Sequence, residues 1–154
     1  MPSLVIFDSV FGNTEQISHA VATGLGTEAQ CLRAGAVSLD QLSQADLIIM
    51  GSPTRGFAAT PALMSLLKSL PKNWLAGKRV AAFDTRMQLD SIKGKLFKKI
   101  VDLGGYAAPI IATQLASKGG KLCVPAAGFF VQGEEGPLVN GELERAEAWA
   151  RQLQ

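Results

Sequence analysis

The stretch 4-LVIFDSVFGNTEQIS-18 joins an apolar run, Leu4 to Phe7, to a segment with helical spacing through the turn SVFGNT. An apolar run without alternation reads as a strand covered on both faces, as in a parallel sheet. Beyond the turn, Ile17, Val21 and Leu25 recur at i, i+4 and i+8, so they stack on one helix face, and Gly26 is the expected stop. The turn therefore sits where a strand ends and a helix begins, where unpaired backbone N–H groups and the helix dipole favour an anion. Ser9 and Thr14 offer O–H donors, Asn13 a side-chain N–H, and Gly12 lets the backbone close without a Cβ. The turn has no lysine, so it is not a nucleotide loop of the Walker type, and it lacks the GxGxxG spacing of dinucleotide folds. A monophosphate suits it better than a triphosphate. A polar helix cap with no ligand draws on the same residue types.

Outward from this turn, similar apolar runs recur as LIIM (47–50), VAAF (80–83) and GFFV (128–131), with AQCLRAG (29–35) as a weaker edge strand. Helical periods lie between them. Ser38 is the expected cap of a short helix through Leu42. Thr60 and Pro61 are the expected N-cap and first turn for Leu63, Leu66, Leu67 and Leu70. At the C-terminus Leu143, Ala146, Ala150 and Leu153 share a face, with Glu142 and Glu144 at the positive end of the helix dipole. The crossover from VAAF to GFFV is long enough for two helices. The first carries Ile92, Leu96, Ile100 and Leu103 on one face and Lys95, Lys98 and Lys99 elsewhere. The second has Pro109 in its first turn, Ala108, Ile111, Ala112 and Leu115 on a face, and Gly119-Gly120 as its stop. One of the two is not needed to cover the sheet, which makes residues 91–103 a candidate lid or partner surface. In the last strand, KLCVPAAGFFVQG, Pro125 marks an interruption or edge bulge.

Alternating strands and helices with right-handed crossovers give an α/β, doubly wound, three-layer arrangement, and 154 residues close around a single domain, 1–154. Ligands in such sheets bind beyond the carboxyl ends of the strands where the strand order switches. That picks out three loops, opening at Ser9, Ser52 and Thr85.

Composition narrows the function classes. The net charge of +2 is too small to point to nucleic acid. Its distribution is uneven: residues 71–121 carry ten basic and three acidic side chains, against three and five in 1–70 and two and five in 122–154. Cys31 and Cys123 lie far apart, with neither metal-ligand spacing nor a CxxC, and read as reduced core thiols. The N-terminus lacks a basic signal-peptide region and no apolar run approaches ~20 residues, so a cytoplasmic protein without membrane insertion is expected. His19, the only histidine, falls opposite the Ile17 face and should point to solvent. Trp74 and Trp149 read as packing residues.

The second loop, GSPTRGFAATP (51–61), surrounds Arg55 and Phe57 with small residues that leave room for a flat ligand, on which Phe57 could stack. The third, FDTRMQLD (83–90), places Arg86 either toward a negative charge on a ligand or in a surface pair with Asp84 or Asp90. With these loops in place, SVFGNTEQIS resembles the phosphate loop of the flavodoxins in its Ser/Thr-x-x-Gly-x-Thr form, and GSPTRGF resembles their second loop. FDTR, GYAAPIIATQLASKGGKL and GFFVQGEEGPLVNGELERAEAW are similar to further segments of a flavodoxin-like family, so the resemblance spans essentially the whole chain.

The resemblance implies a five-stranded parallel sheet in the order 2-1-3-4-5, noncovalent FMN, and electron transfer to redox partner proteins or a small quinone-like acceptor. Carried over by position, it implies that Ser9, Val10, Phe11, Gly12, Asn13 and Thr14 hold the phosphate. Pro53, Thr54, Arg55, Gly56 and Phe57 would line one side of the isoalloxazine, and Thr85, Arg86 and Met87 the other. Two alternatives stand beside the carrier: an FMN-dependent NAD(P)H:quinone-type reductase, and a flavin-free interaction module.

Overall fold

The structure is a computed structural model that describes residues 2–55, 58–87 and 105–154. In chain order the elements are β1 (Ser3–Phe7), α1 (Asn13–Leu25), β2 (Ala29–Arg33), a 3-10 turn (Ala34–Ala36), α2 (Leu39–Gln44), β3 (Leu47–Pro53) and α3 (Pro61–Ser69). They continue with β4 (Arg79–Met87), α4 (Ala107–Ser117), β5 (Lys121–Leu122), β6 (Ala127–Val131) and α5 (Glu142–Arg151). All strand pairings are parallel and the order is β2-β1-β3-β4-β5, with β6 also on β4. This is the expected doubly wound sheet.

The fifth sheet position is shared by two short strands. Lys121 and Leu122 pair with Arg79 and Val80, while Ala127 to Val131 pair with Phe83 to Met87. Residues 123–126 therefore stand opposite only Ala81 and Ala82, and Pro125, which has no N–H to give to a ladder, lies in that bulge.

The two sheet faces carry separate cores. On one, Ile17 and Val21 of α1 and Ala146 and Ala150 of α5 cover Val5, Ile49, Ala81, Phe83 and Phe129. On the other, Leu42, Leu63, Leu67, Ile111 and Leu115 from α2, α3 and α4 cover Ile6, Ile48, Met50 and Ala82. Alternate residues of one strand thus feed opposite layers, which is why the runs read as uniformly apolar. Trp149 completes an aromatic cluster, with ring centroids 6.1 Å from Phe83 and 5.9 Å from Phe129.

Some local expectations hold and others change. Ser38 caps α2 as a capping box, accepting the Gln41 N–H at 3.1 Å while the Gln41 side chain accepts the Ser38 N–H at 2.9 Å. Thr60 does hold the N-cap position of α3, yet its hydroxyl makes no cap bond and is buried with no hydrogen-bond partner among the described residues. Leu143 is exposed, because Glu142, the first residue of α5, turns inward in its place. Trp74 stands at the surface rather than in the core, and Cys31 and Cys123 are free and only partly buried, resting against the α1–α5 layer. The expected helix at 91–103 lies outside the described residues.

Candidate functional site

The carboxyl ends of β1, β3 and β4 deliver the three loops to one cleft. It holds about 590 Å³ of free space, open solvent at its mouth included. Ser9, Val10, Phe11, Asn13 and Thr14 line it from the first loop, Pro53, Thr54 and Arg55 from the second, and Thr85, Arg86 and Met87 from the third. Gly12 shapes the first loop without lining the cleft, and Gly56 and Phe57 lie outside the described residues.

At the first loop, Gly12 sits at the N-cap of α1 with φ +95°, a left-handed conformation that favours glycine, and a Cβ there would meet no atom within 4 Å. Its role is thus conformational. The Ser9 hydroxyl accepts the Gly12 N–H at 3.1 Å and the Glu15 N–H at 3.4 Å, which leaves its own proton to donate. The N–H groups of Val10, Phe11, Asn13 and Thr14 have no acceptor among the described residues. Four bare donors around a left-handed glycine at a helix start offer the hydrogen-bonding chemistry that an anion such as a phosphate monoester would accept.

Two side chains expected to donate into that cradle are differently engaged. Thr14 and Thr85 face each other, their hydroxyl oxygens 2.8 Å apart and buried, so the pair ties the first loop to the third. One proton is used between them and the other remains to donate. The Asn13 carboxamide donates to the Glu135 carbonyl at 3.0 Å, so this N–H is directed at residue 135 rather than at a phosphate.

Arg86 is not a free cation, and its pair is not a surface one. Its Nε and Nη2 meet the two Asp84 oxygens at 2.6 and 2.7 Å, with Asp84 fully buried. The guanidinium carbon lies 3.5 Å from the Tyr106 ring centroid, and a Cβ on Gly128 would fall 2.2 Å from it. Arg86 is therefore packed between a ring and a bare backbone. Burial pushes the Asp84 carboxyl above its ordinary range, opposed by Arg86, the Ala108 N–H at 2.9 Å and the Thr54 hydroxyl. Thr54 also accepts the Ala107 N–H at 3.1 Å, which fastens the start of α4 to the second loop. At the mouth, the Arg55 guanidinium lies 5.6 Å from the half-exposed Phe11 ring. His19 points to solvent, as expected, near Glu15 at 3.8 Å.

The family described as Flavodoxin domain matches residues 4–127. The chain belongs to that family. No curated protein matches it. Among solved structures, the flavodoxin domain is similar to a flavodoxin from the domain Archaea at 20% identity and TM-score 0.71, covering 99% of this chain and 96% of that one. A flavodoxin, WrbA-like protein from Agrobacterium tumefaciens is similar at 22% identity and TM-score 0.73, with 98% and 93% covered. Rubredoxin oxygen:oxidoreductase from Desulfovibrio gigas is similar at 17% identity and TM-score 0.73. There 97% of this chain matches only 34% of the larger protein.

The flavodoxin domain also brings residues to the cleft that local sequence did not single out. Val131 and Glu134 line it, and Glu135 and Gly136 touch Asn13. The one available signal was the run EEGPLVNG, dense in turn residues directly after the last strand. Among the described residues no group of His, Cys, Asp or Glu can hold a metal, and no helix is long and apolar enough to cross a membrane.

Proposed function

We propose that this flavodoxin domain binds FMN and passes electrons through it to a redox partner protein or a small quinone-like acceptor. The observation that carries the reading is the set of N–H groups at Val10, Phe11, Asn13 and Thr14, unpaired among the described residues, which end one side of an open cleft built by all three expected loops. When bound, the flavin supplies reversible one- and two-electron chemistry. The chain supplies binding and electrostatics. Ser9 and the bare N–H groups would hold the phosphate. Pro53, Thr54, Arg55, Thr85, Arg86 and Met87 would wall the ring, with Gly56 and Phe57 completing the second loop. Arg86 would present a positive edge held rigid by Asp84 and Tyr106. Two free cysteines suit a reducing, cytoplasmic setting, and the small net charge gives no reason to invoke nucleic acid.

Purified protein titrated with FMN tests this: saturable quenching of flavin fluorescence is expected, and a protein that leaves the fluorescence unchanged contradicts it and favours a flavin-free interaction module. With FMN bound, steady NAD(P)H-dependent quinone turnover would make the protein a reductase. Reversible reduction by dithionite without such turnover would make it a carrier.

A further inference from the structure

Resting on the FMN reading, we propose that the hairpin of residues 131–138 is a clamp that sets the phosphate cradle from outside the β1–α1 loop, acting through Asn13. The arm is self-supporting at its base. Val131 and Leu138 form an antiparallel bridge, the Gln132 N–H donates to the Pro137 carbonyl at 2.8 Å, and the Val139 N–H donates to the Phe130 carbonyl at 2.9 Å. The Gly136 N–H closes the tip onto the Gly133 carbonyl at 3.0 Å. From this base the tip reaches residue 13. The Glu135 carbonyl accepts the Asn13 carboxamide N–H at 3.0 Å, and Gly136, at φ +103°, lies so close that a Cβ there would stand 2.5 Å from the Asn13 Oδ1. Asn13 is thus both bonded and wedged.

Asn13 is also the first residue of α1, and its backbone N–H is one of the bare donors of the cradle. Fixing its side chain fixes the direction of that donor and of its neighbour on Thr14. Glu134 lines the cleft beside Asn13, so the hairpin forms part of the wall as well as its support. At its tip the hairpin touches the anion-holding loop, while its base residue Val131 is fixed in the sheet opposite Met87. The clamp therefore acts on the phosphate end of a ligand and leaves the ring end alone. Asn13, Glu135 and Gly136 are positioning residues in this scheme.

Riboflavin, which carries the ring and ribityl chain but no phosphate, separates the two ends. Wild type, Gly136→Ala and Leu138→Ala are titrated with FMN and with riboflavin by fluorescence quenching. Gly136→Ala places a methyl on Asn13 and strains a left-handed glycine, and is expected to weaken FMN about tenfold or more while changing riboflavin less than about twofold. Leu138→Ala loosens the base of the arm where it packs on the α1–α5 layer, at a side chain that does not itself line the cleft while the sheet ladder to Met87 still holds Val131, and is expected to show the same selectivity at a few-fold. If Gly136→Ala does not fold, Leu138→Ala decides. Equal losses for both ligands, or unchanged FMN affinity in the folded variants, would overturn the clamp while leaving the FMN reading intact. A wild type that binds neither ligand would overturn the FMN reading, and the clamp with it.

Discussion

The Thr14 and Thr85 hydroxyl oxygens lie 2.8 Å apart in the interior, the single side-chain hydrogen bond between the first and third loops among the described residues. Replacing either threonine by valine leaves the other hydroxyl buried without its partner, at a cost of about 1–3 kcal/mol, whereas replacing both removes the polar pair together. Urea unfolding of Thr14→Val, Thr85→Val and the double variant should show the double losing clearly less than the two singles combined. Strict additivity would mean the hydroxyls are not coupled.

Arg86 has its charge balanced by Asp84 and its position held by stacking on Tyr106. Removing one partner of a buried pair typically costs about 3–5 kcal/mol, because the other charge is left uncompensated. Arg86→Met should therefore lower unfolding stability by about that much, and Tyr106→Leu by about 2 kcal/mol through loss of a desolvated cation–π contact. Chemical denaturation of both variants measures this, and a change within ~0.5 kcal/mol for Arg86→Met would show that the pair contributes little.

Glu142 sets part of the acid limit of stability. Burial raises its pKa, but the Arg145 hydrogen bonds, the Phe130 N–H at 2.7 Å and the Arg145 charge together bring it below the ordinary 4.5. A lowered folded-state pKa contributes stability that is fully present above 4.5 and lost as pH falls through the folded value. Asp84 has the opposite sign. Its raised pKa favours the fold below the ordinary 3.8, and that contribution is lost as pH rises through the folded value. Thermal melts between about pH 3 and 7 should show Glu142→Gln flattening the acid fall in melting temperature, and Asp84→Asn steepening it.

Cys31 should be a slow thiol. Burial, and next the Glu15 carboxylate, push its pKa up to about 11. In a Cys123→Ser background, alkylation of Cys31 should be slow at neutral pH and accelerate only as pH approaches that value. Rapid labelling at pH 7 would contradict the raised pKa.

How much was legible depends on how local the signal is. Leu4 to Phe7, Leu47 to Met50 and Val80 to Phe83 declare themselves because both sides of each strand are covered by helices. Once they are placed as parallel strands, topology puts their three following loops at one edge. Eleven of the fourteen residues named from sequence line the cleft for that reason. The Asn13–Glu135 bond joins residues 122 positions apart, and no spacing in either segment encodes it. Arg86 and Asp84 are two apart on one strand and so share a face. Their pairing was readable, but their burial depended on Tyr106 and Gly128, which arrive from beyond the long crossover and from β6. Leu143 misled because helical period does not distinguish a core leucine from one displaced by an inward Glu142 held by Arg145 and the Phe130 N–H.

The most direct test of an anion cradle at the start of α1 is a ¹H–¹⁵N NMR titration of the labelled protein with FMN. The backbone amides of Val10, Phe11, Asn13 and Thr14 should move downfield together and saturate at one equivalent of ligand, as free N–H groups do when a phosphate accepts from them. FMN binding that leaves those four amides in place, or no shift at any ligand concentration, would contradict the assignment of the first loop as the phosphate site.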